Sequence, residues 1–547
     1  MKAPLALGSK ATEVRALPAS ATALPLLRAL PVAGLLRWAL LGAIVAGALF
    51  LRLYRMDGLI TYYPDTYAQL RAVENLLSGQ VPISYHYPPG VALFMAPIFI
   101  LLPDSLLTMQ AAILAAGIAL VLVGYVVMLA RTGDRRAALF LAAAAGLGGT
   151  FVFHSRVGWF DVINTLLIAL SLFLAPLTVR RGLAALLPYG LLVFTTVTIR
   201  HTNLVVLPAL FLASLDLGSR RLSWPLVVAH LRSRAVVTVG LMVLGLYVAY
   251  LGTASDSLAR FFRTNTGDSI IDLSNYLPRL GDYLRVSLVG YEGAWGWEDA
   301  VAAAAVLALA AVGVQRLWVA NRGLLAPLAY LILIWSPVHA LYEIFDARYA
   351  MPPHFFLLFL AALGLSISLE RLGGLPHPWQ RVGLVSVLAL VLALFVGRQL
   401  AHDIAFLQQW PDEVAHNREQ AYDEIRVYLR TLDGTKALLV SSQALAVDRA
   451  NPEMATYDLL PHSETYGINA DSIARLLAYV REQQASGRTV YYHYTEYEDV
   501  GSRFRKYELG FDAYFQALQH EFTLRELVRA DERPQRLYLV EPVLASN

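Results

Sequence analysis

Two aspartates stand where long apolar runs of the sequence meet polar ones. Asp65 lies in ITYYPDTYAQL, just after the first apolar run, and Asp161 lies in HSRVGWFDVIN, where another run begins. An ionised side chain at the edge of a membrane span is costly unless it is paired or used, so each acid is a functional candidate. A positioned carboxylate can accept the proton of a hydroxyl group that is otherwise a poor nucleophile. The two acids therefore predict either acid–base chemistry or structural ion pairs at a membrane surface.

Basic side chains recur at the same kind of boundary. Arg156 belongs to the stretch around the second acid, Arg200 and His201 lie in IRHTN, and Arg348 lies in FDARYAMPPH. Arginine binds phosphate groups through a planar fork of N–H donors. The sequence therefore predicts a phosphate site formed by Arg156, Arg200, His201 and Arg348.

Tyrosines and prolines surround the first acid. The stretch ITYYPDTY is soon followed by SYHYPPG, and a further tyrosine follows the last arginine of the predicted phosphate site. Tyrosine favours membrane interfaces in any case, but such a dense aromatic frame also suits the binding of a substrate. The predicted substrate-binding residues are Tyr62, Tyr63, His86, Tyr87 and Tyr349.

Each acid also has a purely structural interpretation. Asp65 precedes an amphipathic helical pattern, so it could be an N-cap, with Gly79 as the C-cap of the same short helix. Asp161 could pair with Arg156, five residues earlier, and merely anchor the end of a span. These structural interpretations of Asp65 and Asp161 remain alternatives to a catalytic role.

Composition places the chain among membrane proteins. It has 547 residues, of which 57% are hydrophobic and 16% charged, whereas soluble globular proteins carry about 25% charged residues. Repeated apolar runs indicate a polytopic α-helical membrane protein. The first run, from Gly34, lacks a small-residue cleavage site, so we expect it to remain as a span. The net charge of +3 is too small to indicate a nucleic-acid partner, and the lack of cysteine excludes disulfides and thiol catalysis.

Hydropathy predicts about eleven transmembrane helices. Residues 88–103, PPGVALFMAPIFILLP, are too few for an ordinary span and contain Pro97, so we expect them to lie along the membrane without crossing it. The amphipathic pattern at 65–79 predicts a second interfacial helix. The eleven predicted spans cover residues 34–53, 106–130, 137–153, 160–178, 184–199, 203–216, 235–252, 299–315, 324–341, 354–369 and 382–398.

The placement of arginines predicts the orientation. If the N-terminal tail is cytoplasmic and 88–103 does not cross, most arginine-rich loops face the cytoplasm, as the positive-inside rule prefers. We then expect an integral multi-pass protein of the plasma (inner) membrane, with its acids and its C-terminal part extracytoplasmic. Helical patterns alternate with strand-like runs such as KALLVSS in that part, which predicts an α/β domain. The predicted parts are a tail at 1–33, a transmembrane domain at 34–399 with outer loops 54–105 and 253–298, and a soluble domain at 400–547.

A sugar carried on a polyprenyl phosphate suits this arrangement. Its phosphate lies at headgroup depth, and its leaving group needs stabilisation of charge more than it needs a general acid. No glycine-rich nucleotide-binding loop is evident, which is consistent with a lipid-linked donor. The predicted partners are this donor, membrane lipids, and a glycan, lipid or protein acceptor. No cofactor is required, although the two acids could share a divalent cation.

The order of the motifs resembles that of the type C glycosyltransferases (the GT-C fold), in particular the protein O-mannosyltransferase and lipid A aminoarabinose transferase group. The resemblance rests on YYPDTYAQLRAVENLLSGQ, YHYPPGVALFMAP, SRVGWFD and ARYAMPPHFFLLFLAALGL. It covers most of the membrane region and leaves the C-terminal domain unmatched. It implies a hexosyl- or pentosyltransferase in which Asp65 is the catalytic base and Asp161 supports the base or the acceptor. Thr66 stands where many members have Glu, and Tyr87 where they have His or Lys, so the sugar and the acceptor are left open.

Two other classes of function compete with this interpretation. A polytopic transporter or flippase for a lipid-linked or anionic substrate would favour charges at mid-bilayer and inverted repeats, and neither pattern is clear. A non-enzymatic assembly subunit would use the C-terminal domain for binding, but it would leave Asp65 and the outer arginines without an evident use. Release of polyprenyl phosphate from a sugar donor separates the enzyme from both.

Overall fold

The computed structural model describes residues 32–54, 63–81, 88–103, 105–157, 159–179, 183–215, 217, 222–253, 273, 275–291, 295–341, 346–373, 377–417, 422–459, 468–495, 510–530 and 535–543. For a few of these, including 63–65 and 409–417, only the backbone is described. The described part of the first 43 residues is the beginning of the first helix.

Helices make up most of the membrane region. They are α1 (Val32–Leu53), α2 (Tyr63–Leu77), α3 (Gly90–Leu101), α4 (Leu106–Thr132), α5 (Arg135–Leu147), α6 (Gly149–Arg156), α7 (Asp161–Val179), α8 (Leu183–Val197), α9 (Val206–Ser214), α10 (Trp224–Leu231), α11 (Arg234–Thr253), α12 (Tyr276–Val289), α13 (Trp297–Ala320), α14 (Arg322–Ala340), α15 (Met351–Gly373) and α16 (Pro378–Asn417). Short 3₁₀ turns at His201–Val205 and Ala347–Ala350 precede α9 and α15.

The chain is a multi-pass helical membrane protein, but the predicted count of eleven spans is not confirmed. In the described part, eight helices are long and apolar enough to cross a membrane, or nine if the bent pair α5–α6 forms one span. That pair bends by 48° at Gly148. Two predicted spans, 184–199 and 203–216, correspond to short apolar helices, whereas a straight crossing takes about 20 residues. Residues 88–103 form only the twelve-residue helix α3, which contains Pro97.

Two glycines let α13 and α15 pack with their backbones in contact. A methyl group on Gly313 would lie 2.1 Å from the carbonyl oxygen of Leu360, and one on Gly364 would lie 1.8 Å from that of Leu309. No side chain fits at these positions without moving a backbone. We call this contact the glycine seam.

An ion pair also ties α13 to α16. The carboxylate of Asp299 accepts hydrogen bonds from Nε and Nη2 of Arg398, each at 2.9 Å. The hydroxyl group of Tyr291 donates to the same carboxylate. Asp299 is buried, and a fork-to-carboxylate geometry satisfies both of its oxygens. The start of α13 is therefore fixed to the second half of α16.

A mixed five-stranded sheet forms the centre of the C-terminal part. Its strands are β1 (Ala437–Ser441), β2 (Ala455–Asp458), β3 (Thr489–Tyr494), β4 (Phe522–Ala530) and β5 (Gln535–Pro542), in the order β2-β1-β3-β5-β4. β1 pairs in parallel with β2 and β3, and β5 pairs antiparallel with β3 and β4. All five residues of β1 are buried, as expected for a central strand covered on both faces. Its helices are α17 (Asp423–Leu429), α18 (Ala444–Val447), α19 (Ala470–Ala485) and α20 (Asp512–Glu521), which confirms a mixed α/β domain.

Charged residues of α2 contact the C-terminal domain. Arg71 Nη2 lies 2.6 Å from Asp448 Oδ2, and Arg449 forms an ion pair with Glu74. Arg71 and Glu74 are three residues apart, so they lie on the same face of α2. These four residues are called the α2 clamp below. Arg426 Nη2 also donates to the hydroxyl group of Tyr67 at 2.9 Å, so the helix is attached at several points.

Candidate functional site

The second acid, Asp161, meets two of the predicted arginines. Its Oδ1 lies 2.7 Å from Arg200 Nη2, and its Oδ2 lies 3.8 Å from Arg348 Nε. Asp161 is the first residue of α7 and is only 2% exposed. A carboxylate in that position is stabilised by the helix dipole and by the two cations. Residues from three distant parts of the sequence thus form one charged cluster.

Arg348 has a second and closer acidic partner. Asp346 Oδ2 lies 2.6 Å from Arg348 Nε, while Asp346 Oδ1 accepts a hydrogen bond from the backbone N–H of Arg348 at 3.1 Å. The hydroxyl oxygen of Tyr283 accepts from the backbone N–H of Asp346 at 3.3 Å. Burial raises the pKa of Asp346, and the charge of Arg348 opposes that shift. The cluster contains two cations and two acids, so its formal charge is zero.

Aromatic rings enclose both guanidinium groups. The centroid of the Tyr349 ring lies 4.3 Å from Cζ of Arg200 and 5.3 Å from that of Arg348. Phe160 faces Arg200 at 4.9 Å, and Trp159 faces Arg348 at 4.3 Å. The two side chains are only 12% and 11% exposed. Rings at these distances attract cations and fix the guanidinium planes, so the two forks are held in set directions.

Polar contacts position Arg200 at the end of α8. Asn203 Nδ2 donates to Asn164 Oδ1 at 2.6 Å and to the carbonyl oxygen of Thr196 at 2.7 Å, which ties the turn after Arg200 to α7. The first loop is attached here too, because the N–H of Gly90 donates to the carbonyl oxygen of Thr198 at 2.8 Å. A methyl group on Gly90 would come within 2.3 Å of a backbone nitrogen. The PPG motif therefore lies beside the arginine turn.

Arg156 does not join Asp161, although the structural interpretation of the sequence paired them. Its Nη1 and Nη2 donate to the carbonyl oxygens of Leu51 and Tyr54 at 2.6 and 2.8 Å. The side chain of Gln110 donates to the backbone carbonyl oxygen of Arg156 at 2.7 Å. The side chain thus satisfies carbonyl groups at the end of α1. A phosphate-binding role for Arg156 stays a prediction.

The other predicted site residues lie apart from this cluster or beyond the described side chains. The ring of His201 stacks on that of Tyr250 with centroids 6.2 Å apart. Asp65 and Tyr63 belong to α2, but only their backbone is described, and α2 begins two residues before Asp65. Gly79 follows the helix with φ of 77°, as its predicted C-cap role requires. Tyr62, His86 and Tyr87 lie outside the described residues.

Two further acids in this region were not assigned to the site from the sequence. Asp346 belongs to the stretch FDARYAMPPH, and its position two residues before Arg348 could have indicated an ion pair with that arginine. Asp403 interrupts an apolar run in α16 and is 1% exposed. Neither of its carboxylate oxygens accepts a hydrogen bond from the part of the chain described here. Its charge interacts electrostatically with Arg52 and Arg156.

An apolar cavity opens between α5, α13, α15 and α16. Its volume is about 270 Å³, and Gln399 and Asp403 form its polar end. Asp161 is not among the described residues that line it. No group of three His, Asp or Glu side chains within the described ranges could hold a metal ion.

Comparison of the fold with solved structures gives clear matches. ArnT from Cupriavidus metallidurans bound to undecaprenyl phosphate superimposes with a TM-score of 0.55 at 14% identity, covering 94% of this chain and 98% of that one. The Archaeoglobus fulgidus oligosaccharyltransferase tethered to an acceptor peptide gives 0.52 at 12% identity, covering 93% and 74%. AglB from the same organism, in complex with an inhibitory peptide and a dolichol-phosphate, gives 0.51 at 11%, covering 90% and 73%. No protein-family profile and no curated protein sequence matches the chain.

The matches extend over nine tenths of the chain, so they include both the membrane region and the C-terminal domain. The chain therefore has the GT-C fold of the membrane glycosyltransferases, as the resemblance of its motifs implied. At this level of identity the likeness establishes the fold, while residue roles have to be argued from this chain itself.

Proposed function

We propose that the protein is a membrane glycosyltransferase that moves a sugar from a polyprenyl-phosphate donor to an acceptor hydroxyl group. The observation that carries this proposal is the pair of guanidinium groups of Arg200 and Arg348, held by Asp161, Asp346 and aromatic rings beside the PPG motif of the first loop. The fork of an arginine binds phosphate through two parallel N–H···O hydrogen bonds. The similarity in fold to proteins solved with undecaprenyl phosphate and dolichol-phosphate supports the same donor class.

The proposed reaction is a single displacement. Asp65 accepts the proton of the acceptor hydroxyl group, and the acceptor oxygen forms a bond to the anomeric carbon of the sugar. The bond from that carbon to the phosphate oxygen breaks, and polyprenyl phosphate leaves with the bonding electrons. Arg200 and Arg348 stabilise the charge that develops on the leaving phosphate. Asp161 and Asp346 act as positioning residues, because each holds a guanidinium group.

The proposal also includes the orientation and the contacts predicted from the sequence. Asp65, the arginine cluster and the C-terminal domain would face the extracytoplasmic side, with α2 and α3 along the membrane surface. Contacts from Tyr62, Tyr63, His86, Tyr87 and Tyr349 would select the sugar. The soluble domain predicted at 400–547 stays part of the proposal, with the end of α16, which continues to Asn417 without a break, leading into it.

Release of polyprenyl phosphate is the direct test. Full-length protein in lipid nanodiscs is incubated with polyprenyl-phosphate hexoses and pentoses, and the released lipid is measured by mass spectrometry. Asp65→Asn should reduce turnover by at least ~100-fold, because the amide cannot accept the proton. Asp433→Asn, at an exposed carboxylate of the C-terminal domain, is the matched control and should keep full turnover.

The possible outcomes separate the parts of the proposal. Full turnover in a folded Asp65→Asn protein would assign the base to another residue. Absence of release from every donor, with every acceptor class supplied, would refute the transferase itself and favour the transporter alternative.

A further inference from the structure

A polar cavity lies at the end of the helix bundle opposite Asp161. It has a volume of about 560 Å³ and is formed by the junction of α4 with α5, by the junction of α13 with α14, and by α15. Contacts of α4 with α6 and α7 show that the cavity and the Asp161 cluster lie toward opposite ends of these helices. Gln110, near the start of α4, binds the carbonyl oxygen of Arg156, whereas Arg131, at its end, binds that of Phe173. Gln110 and Arg131 are 21 residues apart on α4, a rise of about 32 Å, and Phe173 lies twelve residues after Asp161 on α7, a rise of about 18 Å.

Four arginines line this cavity, and we call it the basic pocket. Against Arg131, Arg135, Arg136 and Arg316 stand two acids, Asp134 and Glu370, so the formal charge is four minus two, or +2. Within the described ranges Arg135, Arg136 and Arg316 form no ion pair, and all three are exposed. Positive charges that converge on a concave surface attract anions.

One of the two acids, Asp134, is engaged by donors other than these arginines. Asp134 is the N-cap of α5, and its Oδ1 accepts from the backbone N–H groups of Arg136 and Ala137 at 3.0 and 2.9 Å. The hydroxyl group of Ser366 also donates to it, at 2.9 Å. Three donors on one oxygen fix the carboxylate toward the helix end. The guanidinium groups of Arg135, Arg136 and Arg316 thus keep their capacity to bind an external anion.

We infer that the basic pocket binds a phosphate-bearing anion, and that the headgroup of an anionic phospholipid is the source its position favours. Next to the pocket on α13, Trp318 is 59% exposed and Val319 is 69% exposed. An exposed tryptophan at the end of a span marks the depth of the lipid headgroups. Leu363 and Ile367 form an apolar part of the pocket wall beside the arginines. Basic pockets between transmembrane helices at this depth suit anionic lipid headgroups.

Lipid binding by the full-length protein tests this inference. The protein in detergent is titrated with phosphatidylglycerol, with phosphatidylcholine and with inorganic phosphate, and bound ligand is counted by native mass spectrometry. We expect saturable binding of phosphatidylglycerol in preference to phosphatidylcholine. Arg135→Gln with Arg316→Gln should weaken it by at least ~10-fold, which corresponds to about 1.4 kcal/mol.

Two matched variants separate a binding site from general positive charge. Arg232→Gln with Arg234→Gln removes two exposed arginines at the start of α11, outside the pocket, and should leave binding unchanged. Arg135→Lys with Arg316→Lys keeps the charge but loses the forks, so its affinity should fall between wild type and the glutamine variant. If the glutamine variant does not fold, the lysine variant alone decides.

Each outcome has a definite meaning. Loss of phosphatidylglycerol binding in the pocket variants alone supports a lipid site. Binding of inorganic phosphate with equal binding of the two lipids supports the anion pocket and assigns it to a soluble phosphate. Equal effects of the pocket and control variants, or none, would overturn the inference and leave these arginines as determinants of topology only. Turnover of the sugar donor is a separate readout, so failure here does not bear on the proposed transferase.

Discussion

The α2 clamp should couple the C-terminal domain to turnover, because it holds the helix whose first turn contains Asp65. Arg71 lies six residues after Asp65, about 9 Å along the helix axis. The perturbation we choose is Asp448→Arg, which replaces the attraction to Arg71 by repulsion. In the structure these side chains are 13% and 40% exposed and approach to 2.6 Å.

The partial burial of this ion pair sets the expected magnitude. Fully exposed pairs contribute about 0.2–1 kcal/mol, and loss of one partner of a buried pair costs about 3–5 kcal/mol. A pair with one partly buried and one exposed partner should lie between these limits, at about 1–2 kcal/mol. If the same energy is lost from the alignment of α2 in the transition state, turnover falls by about 5–30-fold.

A double-mutant cycle provides the assay. Wild type, Arg71→Asp, Asp448→Arg and the double variant are compared in thermal unfolding and in release of polyprenyl phosphate. Both single variants should lose turnover with little change in KM for the donor, and the double variant should regain most of it, because the ion pair is restored with its charges exchanged. The control cycle uses Arg525 and Glu541, an exposed pair at 3.4 Å between β4 and β5, and should leave turnover unchanged.

Two results would refute this reasoning. Single variants that unfold at lower temperature but turn over normally would show that the clamp only docks the domain. A double variant no better than the worse single variant would show that the two side chains do not interact in solution.

Three further predictions concern the cluster and the bundle. Arg348→Lys should weaken donor binding by roughly tenfold, because the fork is lost, and unchanged affinity would contradict the assignment. Arg156→Lys should lower the melting temperature, because it disturbs hydrogen bonds to the end of α1, and its effect on donor affinity tests the phosphate-binding role predicted from the sequence. Burial raises the pKa of Asp346, so its carboxyl group should take up a proton at a pH above its ordinary pKa of 3.8. The protonated group would no longer form an ion pair with Arg348, so donor binding should fall on acidification. Asp346→Asn should remove this dependence on pH when donor binding is measured as a pH profile. Gly364→Ala should destabilise the protein by about 1–3 kcal/mol through overpacking of the glycine seam. Gly383→Ala, with no atom within 4 Å of the added methyl group, is the control and should not destabilise it. Equal melting temperatures of the two variants would count against the glycine seam.

Sequence reasoning found much of the charged cluster because its residues sit at recognisable span ends. Asp161, Arg200 and Arg348 were all predicted as site residues, and the structure brings them together. Arg156 contacts the end of α1 and does not contact Asp161, because a break separates α6 from α7. Spacing along the chain does not reveal which way a side chain points across such a break. The partnership of Asp346 with Arg348 depends on the local 3₁₀ turn, which hydropathy does not detect.

The same limits apply to the fold. Hydropathy identified the polytopic class, and alternating helical and strand-like patterns identified the α/β character of the C-terminal part, whereas the count of eleven spans, which includes the short helices α8 and α9, is not confirmed. An apolar run reports burial in either lipid or protein, so short helices inside a bundle resemble crossings. The predicted boundary at residue 400 marks where polar residues begin, whereas α16 continues to Asn417 because a helix need not end where it leaves lipid.

The glycine seam also constrains how the protein can work through a cycle. Helices that touch backbone to backbone along α13 and α15 cannot slide past each other without first separating, and the pair of Asp299 with Arg398 anchors the same unit to α16. We therefore expect α13, α15 and α16 to form a rigid unit, so that Arg348, just before α15, keeps the same depth in the membrane while substrates bind and leave. The moving part of each turnover would then be the lipid, diffusing sideways in the bilayer. That is the opposite of a transporter, whose work is done by the rocking of its helices.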